Sequence, residues 1–159
     1  MAVQVAVCGP REASPEEERR ARRVGDLLAG AGAVVVCGGG TGVMAAVAAG
    51  ARARGGLVIG VLPGADRVDA NRDLSAAVVT NMGEARNAII VRSADAVIVI
   101  GGSWGTLSEL ALARGRGLPV VSLGGWRVAD ADGRPVGGVS RVETPEDAVR
   151  LALAGMAQL

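Results

Sequence analysis

Short, nearly uninterrupted apolar runs alternate along this chain with segments whose apolar residues recur every three or four positions. The runs Val3–Cys8, Ala33–Cys37, Leu57–Leu62, Ala76–Thr80, Ala94–Ile100 and Leu118–Leu123 predict strands. Between the first two, Ser14-Pro15-Glu16-Glu17 has the order of an N-cap, a first-turn proline and an N3 carboxylate, and predicts a helix to about Ala29. Further helices are predicted after Gly42 to about Arg54, over Met82–Ser93, and from about Gly105 to Arg114. Another follows Thr144-Pro145-Glu146-Asp147 by the same capping logic. The polar, turn-rich stretch Pro63–Leu74 is the best candidate for a mobile loop, and Gly124–Gly138 reads as irregular with room for a short hairpin.

Strands that are apolar on both faces need cover on both faces, so the alternation predicts a parallel sheet between helical layers. The expected architecture is α/β, a single-domain Rossmann-like doubly wound parallel sheet with helices on both faces, spanning 1–159 as one domain.

Composition narrows the chemistry. The 17 basic residues are all Arg and face 16 acids, so charge makes no case for nucleic acid or an anionic membrane as partner. On α-helical residues 16–23, Glu16–Arg20 and Glu18–Arg22 stand four apart, so the basic cluster reads as a salt-bridged, solvated face. Phe, Tyr, His and Lys are absent. Without Lys there is no Schiff base to pyridoxal phosphate and no Walker A lysine; without His there is no Ser-His-Asp triad and no imidazole ligand. No metal site and no resident cofactor are expected. Cys8 and Cys37 each end an apolar run, where a small buried thiol is ordinary, and no redox role is assigned to them. No signal peptide and no membrane-spanning run is read from the sequence, which sets a cytoplasmic expectation.

In a parallel sheet the turns that lead from strand to helix gather at the carboxyl edge. Three of them carry glycine here: Gly9-Pro10, Gly38-Gly39-Gly40-Thr41-Gly42 and Gly101-Gly102-Ser103-Trp104-Gly105-Thr106. Glycine alone can simply make a tight turn, and Gly9 reads that way. Two long glycine turns that each open a helix present bare N–H groups, which suit a phosphate. The dinucleotide fingerprint is incomplete, because Val43 stands in its third glycine position and no Asp or Glu occurs between Gly38 and Ala65 to hold a ribose. The expected partner is therefore a nucleotide or other phosphorylated small molecule.

Arg86 opens one helix and Glu109 lies just inside the next, so both should face the rim that carries the glycine turns. A cation at a helix start runs against the dipole, which suggests a purpose for Arg86; a plain structural ion pair with Glu109 is the alternative. Trp104, inside the third turn, is expected either to cap the ligand or to pack at a subunit contact.

The blocks Gly38-Gly39-Gly40-Thr41-Gly42-Val43-Met44, Arg86-Asn87 and Gly101-Gly102-Ser103-Trp104-Gly105-Thr106-Leu107-Ser108-Glu109 resemble those of the LOG-like nucleotide-binding superfamily. That superfamily includes proteins labelled possible lysine decarboxylases, cytokinin-activating phosphoribohydrolases and molybdenum cofactor carriers. Gly60-Val61-Leu62-Pro63 and Thr144-Pro145-Glu146-Asp147-Ala148-Val149 resemble the short carrier-like branch most. The resemblance implies a catalytic pair, Arg86 and Glu109, with Gly102, Gly105 and Thr106 on the 5′-phosphate, and a homodimer. It implies either a hydrolase of the N-glycosidic bond of a nucleoside 5′-monophosphate or a non-catalytic carrier or sensor of a phosphorylated ligand such as molybdenum cofactor. Three positions depart from the hydrolase pattern: Ile100 replaces a Pro, Asn87 a Lys, and Gly9-Pro10 a Gly-Ser type turn.

Overall fold

The computed structural model describes residues 1–155; the last four positions of the domain expected from the sequence lie outside the described residues. The chain runs β1 (Gln4–Cys8), α1 (Pro15–Gly30), β2 (Val34–Cys37), α2 (Val43–Ala53), β3 (Val58–Leu62) and β4 (Ala76–Val79). It continues through a 3-10 turn (Gly83–Ala85), α3 (Arg86–Arg92), β5 (Ala96–Ile100), α4 (Trp104–Gly115), β6 (Val120–Leu123), β7 (Val139–Val142) and α5 (Pro145–Gly155). The strands form one sheet in the order β4-β3-β2-β1-β5-β6-β7, with every pair parallel. This is the doubly wound α/β architecture expected from the pattern of runs.

Residues alternate in facing the two layers. Val5, Val7, Val35 and Cys37 join α1, α2 and α5 in one core, while Ala6, Cys8, Val36, Val97 and Val99 meet α3 and α4 in the other. Cys8 and Cys37 are both free and buried, and they point to opposite faces of the sheet, which rules out a disulfide between them. Helix α1 starts as its sequence dictates: Ser14 accepts from the Glu17 N–H and the Glu17 carboxylate accepts from the Ser14 N–H. On its outer face Glu16 pairs with Arg20 at 2.6 Å, and Arg23 pairs with Asp26 and Glu146. The Glu18–Arg22 pair does not form among the described residues.

Two segments differ from expectation. A seventh strand, β7, follows the irregular stretch and extends the sheet beyond β6. The preceding stretch does hold a tight hairpin, with an antiparallel bridge between Ala129 and Pro135. The Pro63–Leu74 segment, read as mobile, is fastened by Asn71, whose side-chain amide donates to the Gly39 and Gly40 carbonyls and whose N–H donates to Gly39 O. No helix among the described residues is long and apolar enough to cross a membrane.

Candidate functional site

The strand order reverses its growth at β1, which has β2 on one side and β5 on the other. Turns diverge at such a point and leave a crevice beyond the carboxyl ends. Here it is a cleft of about 690 Å³, walled by the loop after β1, the turn before α3 and the start of α4.

One end of the cleft is the N-terminus of α4. Ser103 is its N-cap, and the Ser103 hydroxyl accepts from the Thr106 N–H at 3.2 Å and bonds the Thr106 hydroxyl at 2.8 Å. The Trp104 and Gly105 N–H groups have no acceptor within the helix, so this end keeps donors for an anion. Trp126 backs the turn, with its indole N–H donating to Ser103 O at 2.9 Å and its ring lying over Gly102. Trp104 stacks on Trp126 with ring centroids 5.1 Å apart and stays 77% exposed, outside the cleft wall.

The floor is formed by Glu109 and Cys8. Glu109 sits on the second turn of α4 and is only 7% exposed. Burial pushes its carboxyl up to about 7, while the Arg86 charge and a hydrogen bond from the Cys8 thiol pull the other way. The thiol in turn is held well above its ordinary value, first by burial and then by the neighbouring carboxylate. The thiol therefore keeps its proton at neutral pH and donates to the carboxyl, whose ionisation burial opposes.

Arg86 closes the far side. Its guanidinium donates through one nitrogen to the carbonyls of Gly38, at 2.6 Å, and Val61, which end β2 and β3. The Nε–H is buried and has no partner among the described residues. A Cβ at position 38 would displace this guanidinium and the Met44 sulfur, so glycine leaves room for both. Burial lowers the Arg86 pKa and the Glu109 charge raises it. No salt bridge joins the two residues among the described ones, so the simple ion pair weighed from the sequence is not what holds them. Asn87 links their helices instead: its amide donates to the Ser108 hydroxyl at 3.0 Å, which donates to Gly105 O at 2.8 Å.

Of the residues singled out in the sequence, Gly9, Pro10, Gly38, Arg86, Gly102, Ser103, Gly105, Thr106 and Glu109 line the cleft together. Gly39, Thr41, Gly42 and Gly101 do not. The Thr41 hydroxyl donates to Arg11 O, Gly42 abuts the Pro10 and Arg11 carbonyls, and Gly101 lies against the Glu17 carboxylate. Gly40 faces a small adjoining niche beside Arg11 and Asp66. The second glycine turn thus braces the loop after β1 more than it faces the cleft. Cys8, Arg11, Glu12, Glu84 and Asn87, none of which the sequence assigned to the ligand, also line it. Their signal was adjacency: Cys8 and Arg11 flank Gly9-Pro10 at a strand end, and Glu84 and Asn87 flank Arg86. Among the described residues no group of three or more His, Cys, Asp or Glu could hold a metal ion.

Comparison with known proteins places this geometry. An uncharacterised protein of Archaeoglobus fulgidus is 42% identical over 153 residues, covering 96% of this chain and 95% of that one. The molybdenum cofactor binding protein of Rippkaea orientalis has the same fold, with a TM-score of 0.87, 32% identity and 97% of each chain covered. The cytokinin riboside 5′-monophosphate phosphoribohydrolase of Mycobacterium tuberculosis is 42% identical over 93 residues, which cover 57% of this chain and half of that enzyme. These likenesses agree with the LOG-like resemblance read from the glycine blocks. The SLOG cluster4 family matches residues 2–149, nearly the whole length, and the chain belongs to that family.

Proposed function

We propose that this protein binds a monophosphorylated small molecule across the cleft and hydrolyses the N-glycosidic bond of a nucleoside 5′-monophosphate. One observation carries the reading. Glu109 is a carboxyl held near pH 7 by burial, without a salt bridge among the described residues, on the floor of an open cleft one helical turn from free N–H donors. A group poised there can take up and give back a proton at working pH.

In this reading the 5′-phosphate sits on the first amides of α4, and the ribose lies over Glu109. Water attacks C1′, the C1′–N bond breaks, and the base leaves with the bonding electrons, its nitrogen taking up the proton that passes from the water through Glu109. The ionised Glu109 stabilises the positive charge that grows on the ribose and accepts the proton of the attacking water. Arg86 holds the β2 and β3 ends in place through Gly38 and Val61 and keeps a positive charge beside Glu109.

The test is release of free base and ribose 5-phosphate from a panel of nucleoside 5′-monophosphates. Turnover should rise as Glu109 ionises, through about pH 7, and Glu109→Gln should lose it by about a hundredfold or more. Undiminished turnover in that variant contradicts the assignment.

A second reading, a carrier of a phosphorylated pterin such as molybdenum cofactor, is favoured by the full-length likeness to the Rippkaea orientalis protein. It is also favoured by Arg86, whose donating nitrogen is already engaged by two carbonyls. Ligand retained through purification, with no base release from any nucleotide, decides for it.

A further inference from the structure

The cleft has a polarity that a phosphate site alone does not need. Its α4 end offers N–H donors, while its opposite end, beyond β3, carries the carboxylate of Glu84. In the order β3-β2-β1-β5 these ends lie three strand spacings apart, about 14 Å. That leaves room for a sugar and a ring between them.

The backbone bearing Glu84 is fixed. Asn81 and Gly83 both take positive φ, 51° and 56°, and the chain doubles back over the β3 end. There the Asn81 N–H donates to Gly64 O at 2.9 Å, the Gly83 N–H to Pro63 O at 3.0 Å, and the Thr80 hydroxyl to Leu62 O at 2.7 Å. A non-glycine residue at positive φ costs free energy, and here the turn sets an acid on the cleft wall. The Glu84 side chain is in none of the salt bridges formed among the described residues. Glu12, in the loop after β1, also lines the cleft. Arg11, Arg86 and the buried Glu109 line the same cleft.

We propose that Glu84 selects the ring of the bound monophosphate, accepting the paired N–H groups of a 2-amino-4-oxopyrimidine edge, as in guanine or a pterin. This rests on the phosphate reading above. A carboxylate is an acceptor only, and two parallel N–H donors match it as a guanidinium fork does. Guanine and pterin present such a pair: the ring N–H beside the 2-amino group. Hypoxanthine lacks the amino group, and adenine turns a ring-nitrogen lone pair toward the acid.

Calorimetric titration of the wild type and Glu84→Gln with GMP, IMP, AMP, ribose 5-phosphate and 6-hydroxymethylpterin phosphate tests this. In the wild type GMP or the pterin should bind about tenfold or more tighter than IMP and AMP, and the two arms say which source the cleft favours. In Glu84→Gln that margin should vanish while ribose 5-phosphate binds as before, because the anion end is untouched. A Gln amide matches adenine, so AMP should gain. Wild-type binding of IMP as tight as that of both GMP and the pterin phosphate, or a margin that survives in Glu84→Gln, overturns the proposal and leaves the phosphate reading standing. If ribose 5-phosphate and every nucleotide and pterin fail to bind, the phosphate reading itself falls and this assignment with it.

Discussion

Glu109 pays for its place in the cleft with stability. Its folded pKa of about 7 lies above the ordinary 4.5, so the folded protein binds this proton more tightly than the unfolded chain does. Stability from this group is full below pH 4.5, is lost as pH rises toward 7, and stays reduced above it. Ionising it in place costs about 3 kcal/mol by the size of that shift. Glu109→Gln should therefore raise the melting temperature above pH 7.5 and change it little below pH 5, measured by thermal denaturation across pH. A uniform effect, or a loss above pH 7.5, contradicts the burial account. The position of this residue was legible because a carboxylate in the first turns of a helix after a glycine turn has few places to go. Cys8 was not: a thiol ending an apolar strand looks the same whether it faces the core or a cleft, and only the register of β1 against β5 decides.

At the scale of elements, helix starts were legible because their caps are local. Ser14 and Thr144 each accept the N–H of the third residue on, and the chain around them carries the whole signal. Strand β7 was not, because Val139-Ser140-Arg141-Val142 is short, partly polar and exposed, and its pairing with β6 supplies what its own sequence lacks. The contact of α1 with α2 was equally hidden. Gly25 and Gly50 let the two backbones meet, and a Cβ at 50 would strike the Arg22 carbonyl while one at 25 would strike that of Val47. In an exposed helix Gly→Ala gains roughly 1 kcal/mol. Here Gly50→Ala should instead lose about 1–3 kcal/mol in urea denaturation, because the helices must separate. A more stable Gly50→Ala protein shows the contact to be looser than described.

For the molecule as a whole, the alternation of runs and helices fixed the layers, and the divergence of turns beside β1 fixed where the cleft opens. Which glycine turn faces that cleft depended on long-range contacts: Asn71 draws the β3–β4 connection onto Gly39 and Gly40, and the loop after β1 leans on Thr41 and Gly42. The proposed function requires an anion bound by the first amides of α4 with the rest of its ligand passing over Glu109. The most direct measurement is a crystal structure of the complex with a nucleoside 5′-monophosphate. Phosphate oxygens are expected within hydrogen-bond distance of the Trp104 and Gly105 N–H groups, and the ribose against the Glu109 carboxyl. A phosphate bound away from α4, or a ribose that leaves Glu109 untouched, contradicts the proposed function.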